Sequence, residues 1–359
     1  MPTDVDLPLP FTAPQLVPAA LEQARRRSVR WATVHGLLQP SEAAIDSFLT
    51  MGLAEVSAGF SPKAGGPDLD VMTDVVTWTA VCDDFFDGAE KDDPAVTAAA
   101  VSALASVTGS VTGSDGIRAL RAAPADVEAL AGATADLWTR MRALMSPQWR
   151  ARAGHNWRCF LHSFLVEANA RRAGTVPVLA DYLVLRRETT AMYVYLDAAE
   201  RTGRYEVPER VLADPVLRRL GLLQTDTIVH CGDVHSVEHA EALGDTHNLV
   251  FVLERGTGRP RTEVIGEIRG RIRVLAGEFQ HTVDAIPALY DRLACNPVER
   301  VSTERHIRAM TRQLRVTYDW SFNTRGFTAP DPSRRRPDHV AADTAHTGTR
   351  MLAGIGGPH

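Results

Sequence analysis

The run Cys82-Asp83-Asp84-Phe85-Phe86-Asp87-Gly88, entered through Asp74-Val75-Val76-Thr77-Trp78-Thr79-Ala80-Val81, decides how the rest of the chain is read. The approach is apolar and β-branched, with neither Gly nor Pro. It is a buried helix or a buried strand, and periodicity does not separate the two. On a helix, Asp83 and Asp87 stand one turn apart, and Asp84 and Asp87 three residues apart, so the three carboxylates share roughly one face. Carboxylates clustered at the end of an apolar element repel one another, and a hard divalent cation relieves that repulsion. Oxygen-only ligands favour Mg²⁺, which takes one or two carboxylates and leaves its other positions to water and substrate phosphates. The plainer alternative is a helix end running into a solvated acidic loop, since Glu90, Asp92 and Asp93 follow. The almost uncharged approach favours the cation site.

The chain has 359 residues, enough to bury a sizeable core in one large domain or two small ones. Its net charge of −5 advertises neither nucleic acid nor an anionic membrane as a partner. Cys82, Cys159, Cys231 and Cys295 are far apart and form no CxxC pair, which argues against a zinc site or disulfide framework and fits a reducing compartment. No apolar run approaches the ~20 residues of a membrane span. The N-terminus lacks the basic start and apolar core of a signal peptide. These features predict a cytoplasmic, soluble protein without stable membrane association.

Residues 1–14 are Pro-rich and read as extended. Helical patterning runs from Pro18 to Leu38, with Leu21, Ala24, Val29, Trp31 and Val34 as inner positions, and starts again at Ser41. Gly65-Gly66-Pro67 is a break before the acidic element. Further helices are expected over 95–106, 123–145, 148–172, 181–201, 220–243, 261–285 and 298–323, with a short one between Pro208 and Pro215. Hairpin signals are scarce, and there is no Rossmann or P-loop fingerprint. The expectation is an all-α single domain over residues 15–327, followed by a disordered tail over 328–359.

A second motif follows at Gly232-Asp233-Val234-His235-Ser236-Val237-Glu238-His239-Ala240-Glu241, continuing through Gly244-Asp245-Thr246-His247-Asn248-Leu249-Val250. With it the sequence resembles bacterial class I terpene synthases, whose hallmarks are a DDxxD motif on one helix and an Asn-Asp-x-x-Ser-x-x-x-Glu motif on a facing one. Asp83-Asp84-Phe85-Phe86-Asp87 matches the first completely, and Asp233 to Ser236 match the core of the second. The resemblance covers most of residues 8–327. It includes Pro10-Phe11, Trp31, Glu167-Ala168-Asn169, the Tyr182 to Arg187 segment and Asp319-Trp320-Ser321.

The resemblance implies a helical bundle around an apolar pocket, in which Mg²⁺ ions held by the two motifs grip the diphosphate of an isoprenoid substrate. Leaving-group charge would be stabilised by metal and arginine, and the carbocation shielded by an aromatic wall. On this reading Asp83 and Asp87 bind metal, with Asp84 in support and Ser236 as the surviving ligand of the second site. Arg186, 46 residues before Gly232, resembles the diphosphate sensor. Its neighbour Arg187 faces solvent or pairs with Glu188. Candidates for the pocket lining are Phe60, Trp78, Phe85, Phe164, Tyr193 and Trp320. Homodimers are common among similar enzymes, though no patch in the sequence demands one.

The sequence departs from the pattern at several positions. Gly232 and Ala240 stand where Asn and Glu are expected, so two of three side-chain ligands of the second site are missing, and His239 replaces the usual Lys. Asp233 and Glu241 are candidate substitute ligands, about 100° round the helix from the usual face, which a rotation or bulge would bring to a cation. Near the C-terminus, Gly326 and Phe327 replace an Arg-Tyr pair; Arg325, Arg315 and Tyr318 are the alternative phosphate donors. Three functions compete. The leading one is a terpene cyclase, a carbon–oxygen lyase acting on a C15 or C20 isoprenyl diphosphate. The second is a catalytically degenerate relative that binds a prenyl ligand. The third, a chain-elongating prenyl transferase, would require two Asp-rich motifs.

Overall fold

In the computed structural model, residues 6–86, 93–108 and 125–324 are described, and within them every regular element is helical. The order is α1 Pro18–Val34, α2 Glu42–Leu49, α3 Leu53–Phe60, α4 Gly66–Phe86, α5 Pro94–Thr108, α6 Ala125–Met141, α7 Pro147–Ala173, α8 Leu179–Thr189, α9 Met192–Gly203, α10 Glu209–Leu212, α11 Pro215–Leu243, α12 Leu249–Thr257, α13 Arg261–Asp284, α14 Ile286–Arg292 and α15 Pro297–Asn323. The predicted tail over 328–359 lies outside the described residues.

The ambiguous stretch before the acidic run is a helix. Val and Thr have modest helix propensity, but α4 is packed by α1, α3, α6 and α9, and tertiary burial outweighs that preference. Its buried residues run almost unbroken from Leu69 to Cys82, the pattern of a helix surrounded by others rather than lying on a surface. Asp74 is the polar exception. Fully buried, its Oδ1 accepts from Arg27 Nε at 2.9 Å and its Oδ2 pairs with Arg140 Nη2 at 2.7 Å, which ties α4 to α1 and α6. A ladder of aromatic rings locks the other side of α4. Trp78 stacks on Trp157 of α7 at 4.4 Å, and Phe86 stacks on Phe164 at 4.5 Å.

Helix starts follow capping chemistry. Ser41, Ser146, Asp214, Asn248 and Asn296 each accept a hydrogen bond from the first turn of the helix they precede. Such a cap is worth about 1 kcal/mol. Two expectations are corrected here. The single helix expected over 181–201 is two, α8 and α9, because Ala191 adopts φ 56°, left-handed backbone that a continuous helix does not contain. Val34, expected to face inward, is 74% exposed, because α1 ends at that residue. Behind α8, helix α11 packs against α13 and α15 and forms the second half of the bundle. The segment before α1 is non-helical, with Leu7 and Phe11 buried against that half.

Candidate active site

Asp83 and Asp84 occupy the last turn of α4; Asp83 is exposed and Asp84 half-buried. Asp87 and Arg325 lie outside the described residues. Among the described residues, no group of three His, Cys, Asp or Glu side chains is arranged to hold a metal ion. Asp83 and Asp84 are hard oxygen donors in the last described turn of α4. That suits a divalent ion completed by water and phosphate oxygens, rather than an all-protein cage.

The second motif lies on α11, which runs unbroken through it. Gly232 and Ser236 are half-buried and one turn apart. A Cβ built on Gly232 would meet nothing within 4 Å, so the missing Asn leaves open space rather than a filled position. Ala240 is buried at 8% exposure.

Arg186 ends α8 and points at α11. Its Nη2 donates to Asp233 Oδ1 at 2.9 Å and its Nη1 to Thr189 Oγ1 at 2.8 Å. Of five N–H groups on a guanidinium, these use two, and the Nε is buried without a hydrogen-bond partner. Burial opposes the charge of Arg186, but the Asp233 carboxylate beside it raises its pKa well above the ordinary arginine value. Asp233 itself is fully buried and accepts two further bonds, from the Tyr182 hydroxyl and from Leu249 N at 2.9 Å. Asn248 Nδ2 donates to the backbone carbonyl of Asp233 at 2.8 Å while its own Oδ1 caps α12. The turn between α11 and α12 is therefore bound to α8 through one carboxylate. Glu167 of α7 is buried in the same neighbourhood; burial raises its carboxyl pKa, and Arg186, His247 and Arg171 act against that rise.

Both candidate substitute ligands are turned to other work. With no bulge in α11, Asp233 stays saturated by its three donors. Glu241, exposed, accepts from Arg261 Nη1 and Nη2, each at 3.0 Å. Arg187 pairs neither with solvent alone nor with Glu188: its Nε and Nη2 grip Asp226 at 2.7 and 2.8 Å. The alternative phosphate donors are also engaged. Arg315 pairs with Asp319, and the Tyr318 hydroxyl donates to Asp6 Oδ1 at 2.8 Å.

The proposed aromatic lining divides. Phe60 is buried and meets Tyr195 edge-on at 5.1 Å, and Phe85 is half-buried beside Phe86. Trp78 is not a pocket wall: it has no exposure, and its Nε1 donates to Thr134 Oγ1 at 2.8 Å on the α6 side. Phe164, 1% exposed, belongs to the same ladder. Trp320 donates its Nε1 hydrogen to the Met51 carbonyl at 2.6 Å and so fastens α15 to the turn before α3. Tyr193 rests on α11 at Gly221, where a Cβ would come within 3.6 Å of its ring. The tyrosine that reaches the acidic helix is Tyr195, two residues on, whose hydroxyl lies 2.5 Å from Thr79 Oγ1. Its sequence signal was the spacing from Thr79 to Asp83, one turn, which only the fold connects to Tyr195.

Residues 74–275 match the family described as terpene synthase family 2, C-terminal metal binding. Pentalenene synthase of Streptomyces avermitilis is 33% identical over 322 residues, spanning 89% of this chain and 92% of that one. The 7-epi-alpha-eudesmol synthase of Streptomyces viridochromogenes, named as (2E,6E)-farnesyl diphosphate cyclizing, is 28% identical across 92% of this chain and 93% of its own. Among solved structures, that of a-eudesmol synthase superposes with a TM-score of 0.77 at 25% identity, covering 89% of this chain and 99% of that chain. With a metal-binding family matched across both motifs and a relative similar over nearly its whole length, this chain belongs to the terpene synthase family.

Proposed function

We propose that this terpene synthase is a Mg²⁺-dependent cyclase of a linear isoprenyl diphosphate, with C15 farnesyl diphosphate as its substrate. The enzyme is a lyase: the carbon–oxygen bond of the allylic diphosphate breaks, diphosphate leaves with the electron pair, and the carbocation closes on its own double bonds. The observation that carries the reading is that α4 carries two carboxylates, Asp83 and Asp84, in its last described turn, while Arg186, tied to the second motif through Asp233, keeps a buried Nε without a hydrogen-bond partner. The relative named as farnesyl diphosphate cyclizing supports C15 over C20.

Asp83 and Asp87 would hold a divalent ion, with Asp84 in support and Ser236 contributing a hydroxyl from α11. The ion would supply positive charge to offset the negative charge developing on the leaving diphosphate. Arg186, held in place by Asp233 and Thr189, directs its remaining N–H groups at the diphosphate oxygens. Because α4 is buried along its length, a prenyl chain extending inward from Asp83 leaves water behind, as a carbocation requires. The loss of ligands at Gly232 and Ala240 makes the Asp-rich end of α4 the principal metal site. The cytoplasmic setting remains part of the proposal; it agrees with four free cysteines, three of them buried, and no described helix is long and apolar enough to cross a membrane.

The test is incubation of the purified protein with Mg²⁺ and, separately, C10, C15 and C20 diphosphates. Extracts are read by gas chromatography–mass spectrometry, with Asp83→Ala alongside. A cyclic C15 product that disappears in Asp83→Ala is expected. No product from any substrate, with the protein folded, would replace the cyclase by a prenyl-binding relative.

A further inference from the structure

Thr79 and Asp83 stand four residues, about one turn, apart on α4, about 6 Å along the axis. Whatever is fixed on Thr79 lies one turn deeper than the first carboxylate, where the reacting end of a chain anchored by its diphosphate would lie. The group fixed there is the Tyr195 hydroxyl, 2.5 Å from Thr79 Oγ1. Thr79 Oγ1 also reaches the Val76 carbonyl at 2.9 Å, so the carbonyl and the two hydroxyls form one hydrogen-bonded group in which either hydroxyl can donate to the other. Among the described residues, Thr79 is the hydrogen-bond partner of the phenol. The ring is braced by Phe60, edge-on at 5.1 Å, yet remains half-buried rather than sealed in the core. Burial, with Asp83 nearby, keeps the phenol neutral by raising its pKa.

We infer that Tyr195 determines product specificity: its phenolic oxygen, fixed on Thr79 one turn below Asp83, faces the reacting chain and biases where positive charge settles. The inference rests on the cyclase reading above. A neutral oxygen held in place stabilises a nearby cation without forming a bond to it, and its position favours charge on carbons close to the departing diphosphate. No proton or electron pair is transferred to Tyr195 in this role.

The experiment compares product ratios from farnesyl diphosphate for the wild type, Tyr195→Phe and Thr79→Val, together with kcat, KM and thermal unfolding. Tyr195→Phe keeps the ring and removes the oxygen. It is expected to lower kcat by less than about tenfold, leave KM and the melting temperature close to wild type, and change the product ratio. Thr79→Val removes the hydroxyl that fixes the phenol and is expected to shift the ratio as well. Wild-type ratios in both variants would overturn the inference and leave the cyclase standing. A wild type that releases no product would overturn the cyclase reading, and the inference with it. Should Thr79→Val not fold, Tyr195→Phe decides alone.

Discussion

Arg186 Nη2 and Asp233 Oδ1 lie 2.9 Å apart, which makes one ion pair of the arginine in the last turn of α8 and the acid inside the second motif on α11. The pair is buried on the Asp233 side, where the Tyr182 hydroxyl and Leu249 N complete the carboxylate's partners. Asp233 thus fixes the orientation of the Arg186 guanidinium, together with Thr189.

Removing that carboxylate leaves the half-buried Arg186 charge without its acidic partner and the buried Tyr182 hydroxyl with only the His247 carbonyl at 3.4 Å. Asp233→Ala is expected to cost about 3–5 kcal/mol, the range for breaking one side of a buried ion pair. Asp233→Asn keeps the shape and an acceptor oxygen and should cost less. Urea unfolding of the two variants measures this directly. A loss below about 1 kcal/mol in Asp233→Ala would mean that the network is not what holds α8 to α11.

Gly232 sits mid-helix, and a Cβ there would meet nothing within 4 Å, so the backbone position itself tolerates a side chain. Replacing a helical Gly also removes its entropic penalty, which is about 0.5–1 kcal/mol relative to Ala. Gly232→Asn combined with Ala240→Glu rebuilds the side-chain oxygens that the resemblance leads one to expect around Ser236. The Mg²⁺ concentration for half-maximal turnover should fall by on the order of tenfold. An unchanged Mg²⁺ midpoint would show that these positions are not the vacant ligand sites of α11.

Legibility in the sequence followed the physics of each signal. Long helices bounded by Pro, Ser and Gly were readable because caps and breaks are local chemistry, and α7 and α13 fall close to their expected ranges. The division of α8 from α9 was not, because the left-handed residue is Ala191, and neither Gly nor Pro marks the site. The Asp-rich motif was legible as a spacing. The partners of Asp233 were not: Tyr182 is 51 residues away and Leu249 is 16. Aromatic residues misled most, since Trp78 and Phe164 carry the same composition signal whether they line a pocket or stack in the core. Only the direction of α4 relative to α7 separates those two fates.

Glu241 is exposed and bidentate on Arg261, so its carboxylate has a partner on the outside of the bundle. Glu241→Ala is expected to leave turnover and Mg²⁺ dependence as in the wild type. Stability should change by no more than about 1 kcal/mol, as for other surface pairs. A loss of Mg²⁺-dependent activity would instead return Glu241 to the metal site.

Asp245 gives the pH dependence of the turn that carries Asn248. Its Oδ1 accepts from His247 N at 2.9 Å and faces His247 Nδ1 at 3.3 Å. Burial opposes ionisation, but these bonds and the His247 and Arg171 charges hold the carboxyl down at about 2. An unfolded aspartate titrates near 3.9. The folded value is the lower one, so Asp245 contributes stability above about pH 4, and that contribution is lost as pH falls toward 2. Its side chain is 32% exposed, and solvent screening reduces the contribution to about 1 kcal/mol. Asp245→Asn should therefore be less stable than wild type by about that amount at pH 7, with the gap closing below pH 4. Denaturant titrations at pH 7, 5 and 3.5 make the comparison. A gap that stays constant across the three would assign the effect to lost shape rather than lost charge, since only the charge disappears on protonation.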